Sequence, residues 1–326
     1  MVIVTGGSGH IGNVLVRTLL SKGYKVAVID KDPKDKALDG LPIEYYQGDI
    51  RDLDFLTKIF KKAEYVCHLA GIISIAPGKE ELMYAVNVEG TKTVIEACKK
   101  AKVKRLLYTS SIHALYEPPK GTPITETLAK IEDTENDYAK TKILATKEVL
   151  EASKERLDTV VVYPSGIAGP YDFRNSEFGS LIKDARIYSK VFYIEGGYNF
   201  VDVRDVANGI ILALEKGKTG ESYLLAGQDI SIFELFQALA KITKTPGPKI
   251  KAPTSIIKFL APIAEFFYKL LKKKPVFTKY AIEVLHSNHQ TDSSKAEKEL
   301  GYKTRDIHET IKDTLDWFEG KDVGVQ

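Results

Sequence analysis

The sequence predicts an α/β fold, a doubly wound parallel sheet with a smaller, mostly helical part beside it. Three observations carry that prediction. A β-branched run at residues 1–5 enters the glycine-rich turn TGGSGHIG, and apolar residues at helical spacing follow it (Ile11, Val14, Leu15, Leu19), ending at Gly23. Strand-like and helix-like segments then alternate through the first half of the chain. The second strand ends in Asp30, eighteen residues after Gly12, at the distance expected of a Rossmann-type dinucleotide fold.

The elements follow in order. KVAVID (25–30) is the second strand, IEYYQGDI (43–50) the third, YVCHLAG (65–71) the fourth and RLLYTSS (105–111) the fifth, with one helix over 79–101. A helix bearing Tyr138 runs to about Arg156, and DTVVVYPSGIAGP (158–170) holds a sixth strand. NFVDVRDVANGIILALEKG (199–217) and ESYLLAG (221–227) read as a return to the sheet. The expected division is 1–165 plus about 201–225 for the dinucleotide domain, and about 166–200 and 226–326 for a substrate-binding part. A ligand is expected in the cleft between them.

Composition narrows the function. The chain has 326 residues, 44% of them hydrophobic, enough for a large core. With 47 Lys and Arg against 44 Asp and Glu, the charges are mixed, which speaks against a nucleic-acid partner. Cys67 and Cys98 lack metal-ligand spacing, none of the six histidines makes a metal constellation, and no presequence precedes the first strand. The expectation is a reduced, cytoplasmic, metal-free protein. The apolar stretch 256–274 is interrupted by Lys258, Pro262, Glu265 and Lys269, so it is not a spanning helix. It is expected to be an amphipathic helix packed on its own domain; the sharper alternative is a lid over a lipophilic substrate with peripheral membrane contact through Lys272–Lys274.

Gly6, Gly9 and Gly12 are spaced for a tight turn, a close backbone approach to a pyrophosphate and close helix packing, respectively. The N–H groups at the start of the following helix, at His10, Ile11 and Gly12, would face the phosphates. Asp30 can accept from a ribose diol and would repel a 2′-phosphate, so NAD is preferred over NADP; Lys31 beside it partly offsets that repulsion. Tyr138 and Lys142, at i and i+4, share a helix face. A tyrosine of pKa about 10 is too weakly acidic to serve as a base near neutrality unless a neighbouring ammonium stabilises its phenolate. Taken alone, such a pair reads as surface decoration. The serines of TSS, at the end of the fifth strand, bring hydroxyls to the same cleft.

TGGSGHIG, GDIRD (48–52), HLAG (68–71), NVEGT (87–91), YTSS (108–111) and YAKTK (138–142), with FVDVRDVA (200–207) and DSSKAEKELGY (292–302), occur in an order and spacing that resemble the extended short-chain dehydrogenase/reductases, the NAD-dependent epimerase/dehydratase family. The resemblance implies that Asp49 and Ile50 hold the adenine, that Leu69, Ala70 and Gly71 wall the cofactor, and that Asn87 ties the central helix to the strand below the site. It implies Tyr138 as acid and base, Ser111 as the catalytic hydroxyl with Ser110 the next candidate, and Lys142 also on the nicotinamide ribose. Tyr163, Pro164 and Ser165 would run past the nicotinamide.

Sugar-nucleotide enzymes of the family commonly carry Asn where this chain has Ser165, and its dehydratases commonly place an acidic residue where it has Ile112. The sequence looks more like the dihydroflavonol 4-reductase and 3β-hydroxysteroid dehydrogenase branch, which implies interconversion of a secondary alcohol and a ketone on a bulky apolar substrate. The alternatives are a sugar-nucleotide 4-epimerase and a non-catalytic NAD(P)-sensing regulator. His113 is expected to face solvent or to be hydrogen-bonded. Relatives pair through helices corresponding to about 80–101 and 134–155, which implies a homodimer.

Overall fold

The computed structural model describes residues 1–73, 78–127, 134, 136–188, 192–253 and 285–325. The stretch 256–274 lies outside them. Strands β1 (Val2–Thr5), β2 (Val26–Asp30), β3 (Glu44–Gln47), β4 (Tyr65–His68), β5 (Arg105–Thr109) and β6 (Thr159–Pro164) form a parallel sheet completed by Ser222–Leu225. Numbered with the shorter strands β7 (Gly166–Ala168), β8 (Phe192–Tyr193) and β9 (Gly197–Asp202), that last strand is β10. The order is β10-β6-β5-β4-β1-β2-β3. The chain therefore reverses direction across the sheet between β1 and β4, and a crevice opens at the carboxyl ends of those two strands.

Both faces of the sheet are covered, as the near-continuous apolar strands require. The period of two sorts the side chains into two cores. Ile3, Ile29, Val66, Leu106, Tyr108, Val161 and Tyr163 face α2 (Leu53–Phe60), α4 (Gly90–Ala101) and α5 (Asp137–Lys154). Val4, Val28, Cys67, Leu107, Val160 and Val162 face α1 (His10–Ser21) and α7 (Val203–Lys216). A third core lies outside the main sheet, where Phe178 and Ile182 of α6 (Glu177–Tyr188) meet Leu235 of α8 (Ile232–Thr243) and Ile311 and Leu315 of a C-terminal helix, Ile307–Phe318. With Ser294–Leu300 counted as α9, that C-terminal helix is α10.

Two elements differ from the sequence reading. The helix expected over 79–101 is divided into α3 (Glu80–Tyr84), a π-turn over Ala85–Glu89, and α4. The extra residue in that turn accompanies Asn87, whose amide is bonded away from its own helix. The segment Gly197–Asp202 does not rejoin the main sheet. It pairs with β7 and with β11 (Gln228–Ser231) in a separate three-stranded sheet, while α7 and β10 do return. The remaining strand, β12 (Ile250–Lys251), pairs with β8.

The motif FVDVRDVA has a structural explanation. Asp202 caps α7 by accepting from the Arg204 N–H at 2.8 Å, and its carboxylate also takes the Arg204 guanidinium and the Thr310 hydroxyl. Arg204 reaches Asp313 of α10 at 2.8 Å, and Arg305 binds Asp205 at 2.9 Å. These buried, mutually paired charges fasten the C-terminal helix to the sheet domain. Asp52 caps α2 by accepting from the Phe55 N–H at 2.9 Å.

Candidate active site

The glycine loop sits in the crevice between β1 and β4. Gly6 has φ +73°, and a Cβ there would lie 2.7 Å from the Ala70 nitrogen, so only glycine lets the turn lie against the end of β4. Gly12 is equally constrained, with a Cβ position 2.2 Å from the Gly6 carbonyl oxygen. Helix α1 starts at Gly9 with no side-chain cap and no acidic residue in its first turn, which leaves the N–H groups of His10, Ile11 and Gly12 to an outside anion. Asp30 closes the loop from the other side: its carboxylate accepts from the N–H groups of Ser8 at 3.1 Å and Lys31 at 2.9 Å.

Asn13, which sequence reasoning missed, holds this turn to the later part of the chain. Its buried amide donates to the carbonyls of Gly9 (2.9 Å), His10 (3.0 Å) and Tyr171 (3.1 Å). His10 adds a bond at 2.9 Å to the Pro170 carbonyl, and burial holds its pKa below the ordinary histidine value. Next to β3, the Asp49 carboxylate is already gripped by Arg51, at 2.6 Å for the closest contact, and this holds its pKa below the ordinary range. The Ile50 side chain packs on Gly90 of α4 and belongs to the core.

The residues expected to do chemistry meet at the carboxyl ends of β4 and β5. Asn136 caps α5 by accepting from the Ala139 N–H at 2.9 Å, fixing where the helix begins. Tyr138 and Lys142 both lie on its buried side. The Lys142 ammonium donates to the Thr109 carbonyl at 2.8 Å and to the Tyr108 hydroxyl at 3.3 Å, and lies 4.9 Å over the Tyr108 ring. Its nitrogen is also 3.8 Å from where a Gly71 Cβ would be. Burial pushes its pKa down to about 7.

The two serines separate cleanly. Thr146 gives its hydroxyl proton to the Lys142 carbonyl at 2.7 Å, so the Ser110 hydroxyl, 2.7 Å away, donates to Thr146 and is directed into α5. Among the described residues Ser111 accepts only from the His113 N–H, at 3.3 Å, which leaves its own proton for the cleft. Asn87 accepts from the Ile72 N–H at 2.7 Å and donates to the Ile72 carbonyl at 2.9 Å and to Thr141 of α5 at 3.0 Å, so it ties α4, α5 and the end of β4 together.

His68 was not singled out by sequence reasoning. Thr91 spends its proton on the Asn87 carbonyl at 2.6 Å, so His68 Nε2 carries hydrogen and donates to Thr91 at 3.0 Å, while Nδ1 accepts from Thr5 at 2.7 Å. Burial, with the Lys142 charge second, pushes its pKa down to about 3, so the imidazole is neutral. Near the end of β6, the Tyr163 side chain turns into the core under α5, where burial pushes it up to about 12, so it does not run past the nicotinamide as expected. Ser165 Oγ is buried and has no hydrogen-bond partner among the described residues. His113 shares a hydrogen bond with Tyr198 of β9 at 3.2 Å. Among the described residues no group of three metal-ligating side chains occurs, and no helix is long and apolar enough to cross a membrane.

Residues 2–226 match the NAD dependent epimerase/dehydratase family. The chain is 32% identical to sterol demethylase protein B of Methylococcus capsulatus, over 97% of each chain. It is 32% identical to a putative dihydroflavonol 4-reductase of Synechocystis, over 97% of this chain and 94% of that one. Among solved structures, gox2253 is 31% identical, covers 98% of each chain and superposes with a TM-score of 0.84. This chain belongs to the NAD dependent epimerase/dehydratase family and is an NAD-dependent enzyme of the extended short-chain dehydrogenase/reductase type.

Proposed function

We propose that the protein interconverts a secondary alcohol and a ketone on a bulky, apolar substrate. The observation that carries this reading is the convergence of Ser111, Tyr138 and the buried Lys142 at one end of β5, with Ser110 committed to the helix instead. The names borne by the relatives, a sterol demethylase and a dihydroflavonol reductase, support an apolar substrate. Ser165, where a nucleotide sugar would need an amide, supports it too.

The loop suits NAD: the uncapped start of α1 would receive the pyrophosphate, and the Asp30 carboxylate would accept from the adenosine ribose. NAD when bound supplies the hydride acceptor, and in its reduced form the donor. The Ser111 hydroxyl donates to the substrate oxygen as charge develops there. Tyr138 takes or returns the hydroxyl proton. Lys142, held by the Thr109 carbonyl, lowers the tyrosine's pKa; in turn the phenolate restores the charge that burial disfavours on the lysine. Thr5, His68, Thr91 and Asn87 form the layer beneath, which fixes the end of β4 against α4. The protein works as a cytoplasmic homodimer in this reading, pairing through the helices of about 80–101 and 134–155, where Leu82 and Tyr84 are exposed.

The test is the near-ultraviolet absorbance of reduced nicotinamide after mixing protein and NAD with hydroxysteroids, other bulky secondary alcohols and UDP-sugars. Growth with an apolar alcohol is expected. No signal with any alcohol, and a UDP-sugar converted to its epimer, would replace this reading with the redox-neutral one.

A further inference from the structure

The backbone of Tyr171 holds φ +63°, a left-handed conformation that a bulky side chain rarely adopts. Such strain persists only where the surroundings over-determine it. The Tyr171 hydroxyl donates to the Val323 carbonyl, in the segment that follows α10. The Arg17 guanidinium of α1 lies 5.1 Å over the Tyr171 ring, and the Trp317 ring of α10 stands 6.3 Å from it, centroid to centroid. Trp317 also meets Phe173 edge-on at 5.1 Å. Val323 itself is buried, and the neighbouring Gly324 carbonyl accepts from Arg204 at 3.2 Å, so the segment is seated on the charges that fasten α10. The Tyr171 backbone faces the glycine loop. Its carbonyl accepts from the Asn13 amide at 3.1 Å, 158 residues away in sequence, whereas Gly9 and His10, which also accept from that amide, belong to Asn13's own turn. The first backbone bond of α1 is made there too, from the Asn13 N–H to the Gly9 carbonyl at 2.9 Å.

We propose that Tyr171 couples the segment around Val323 to NAD affinity: the segment keeps Tyr171 in its left-handed conformation, and the Tyr171 carbonyl, through the Asn13 amide, fixes the turn that meets the pyrophosphate. The inference rests on the assignment of that turn to NAD. Released from Val323, Tyr171 relaxes to a negative φ, and its carbonyl swings away from the Asn13 amide. The start of α1 is then free to shift against the phosphate oxygens, and hydrogen bonds to a charged group weaken as their geometry does. Tyr171 acts through Asn13 and is a positioning residue. Coupling of this kind is reciprocal, so NAD in turn holds the segment around Val323 in place.

A double-mutant cycle read by calorimetry of NAD binding tests the coupling. Tyr171→Phe removes the hydroxyl that reaches Val323, and Val323→Asp puts a charge where the segment is buried. Each is expected to weaken NAD binding about threefold to tenfold, the worth of one lost hydrogen bond. Together they are expected to weaken it no more than the stronger of the two alone, because both break the same link. Additive losses, or an unchanged Kd in either single variant, overturn the proposal. Hydrogen exchange of the NAD-free protein tests whether the link reaches the turn. The backbone N–H groups of Gly9 and Asn13, bonded to Gly6 and Gly9, are expected to exchange faster in Tyr171→Phe than in the wild type, and equal rates overturn it. In the wild type, NAD is expected to slow exchange of residues 322–325; in Tyr171→Phe that protection is expected to vanish. Protection that survives in the variant also overturns the link. If the wild type binds no NAD, the assignment of the turn fails, and the exchange of Gly9 and Asn13 still decides whether Tyr171 holds them.

Discussion

Lys142 should make the empty protein less stable than it would be without it. Its pKa falls from 10.5 in the open chain to about 7 in the fold, through burial. Because the folded value is the lower one, the unfolded chain holds the extra proton between those two pH values, and stability rises with pH across that window. At about 1.36 kcal/mol per pH unit the penalty is about 4 kcal/mol at pH 7 and about 2 kcal/mol at about pH 9. Lys142→Met removes it but leaves the Thr109 carbonyl without its donor, a cost of about 2 kcal/mol. The variant should therefore be about 2 kcal/mol more stable at pH 7 and about equal to the wild type near pH 9. With an unfolding entropy of about 0.7 kcal/mol/K for a chain of this length, the gain is about 3 °C in Tm. Calorimetry of both proteins without NAD at the two pH values reads it directly. A variant that melts below the wild type at pH 7, or gains equally at both, would refute the burial argument.

Three further outcomes follow from the geometry. Gly6→Ala forces a Cβ to within 2.7 Å of the Ala70 nitrogen at a positive φ, so NAD affinity, measured by calorimetry, should fall at least tenfold while the fold survives. Arg204→Met leaves the buried Asp202 carboxylate and the partly exposed Asp313 without their guanidinium partner and should cost about 3–5 kcal/mol, seen as a drop of about 4–7 °C in Tm. Asp30→Ala removes the carboxylate set beside Ser8 and should narrow the ratio of kcat/KM for NAD over NADP; an unchanged ratio would assign that preference to another residue.

How much of this was legible in the sequence depended on the range of the interaction. The glycine loop, the Asp30 position and the Tyr138/Lys142 pair are local patterns, and the structure brings each of them to the same crevice. Tyr163, expected beside the nicotinamide, shares its side of β6 with Val161 and faces the core instead. The choice between Ser110 and Ser111 needed Thr146, thirty-six residues from Ser110, and the proton it spends on the Lys142 carbonyl. His68 meets Thr5 across sixty-three residues and His113 meets Tyr198 across eighty-five, contacts that no local spacing encodes. The π-turn at Asn87 was hidden because apolar residues keep a helical spacing through it, and only the amide's bonds to Ile72 and Thr141 reveal why the helix loosens.

The central claim is that Tyr138 moves the substrate proton while the rest of the crevice holds NAD. Its most direct test is a single-turnover measurement of reduced nicotinamide with the best apolar alcohol, in the wild type and Tyr138→Phe, alongside NAD affinity for each. The account predicts unchanged NAD affinity and a rate lower by at least about a hundredfold in the variant. A variant that reduces NAD at the wild-type rate would contradict it.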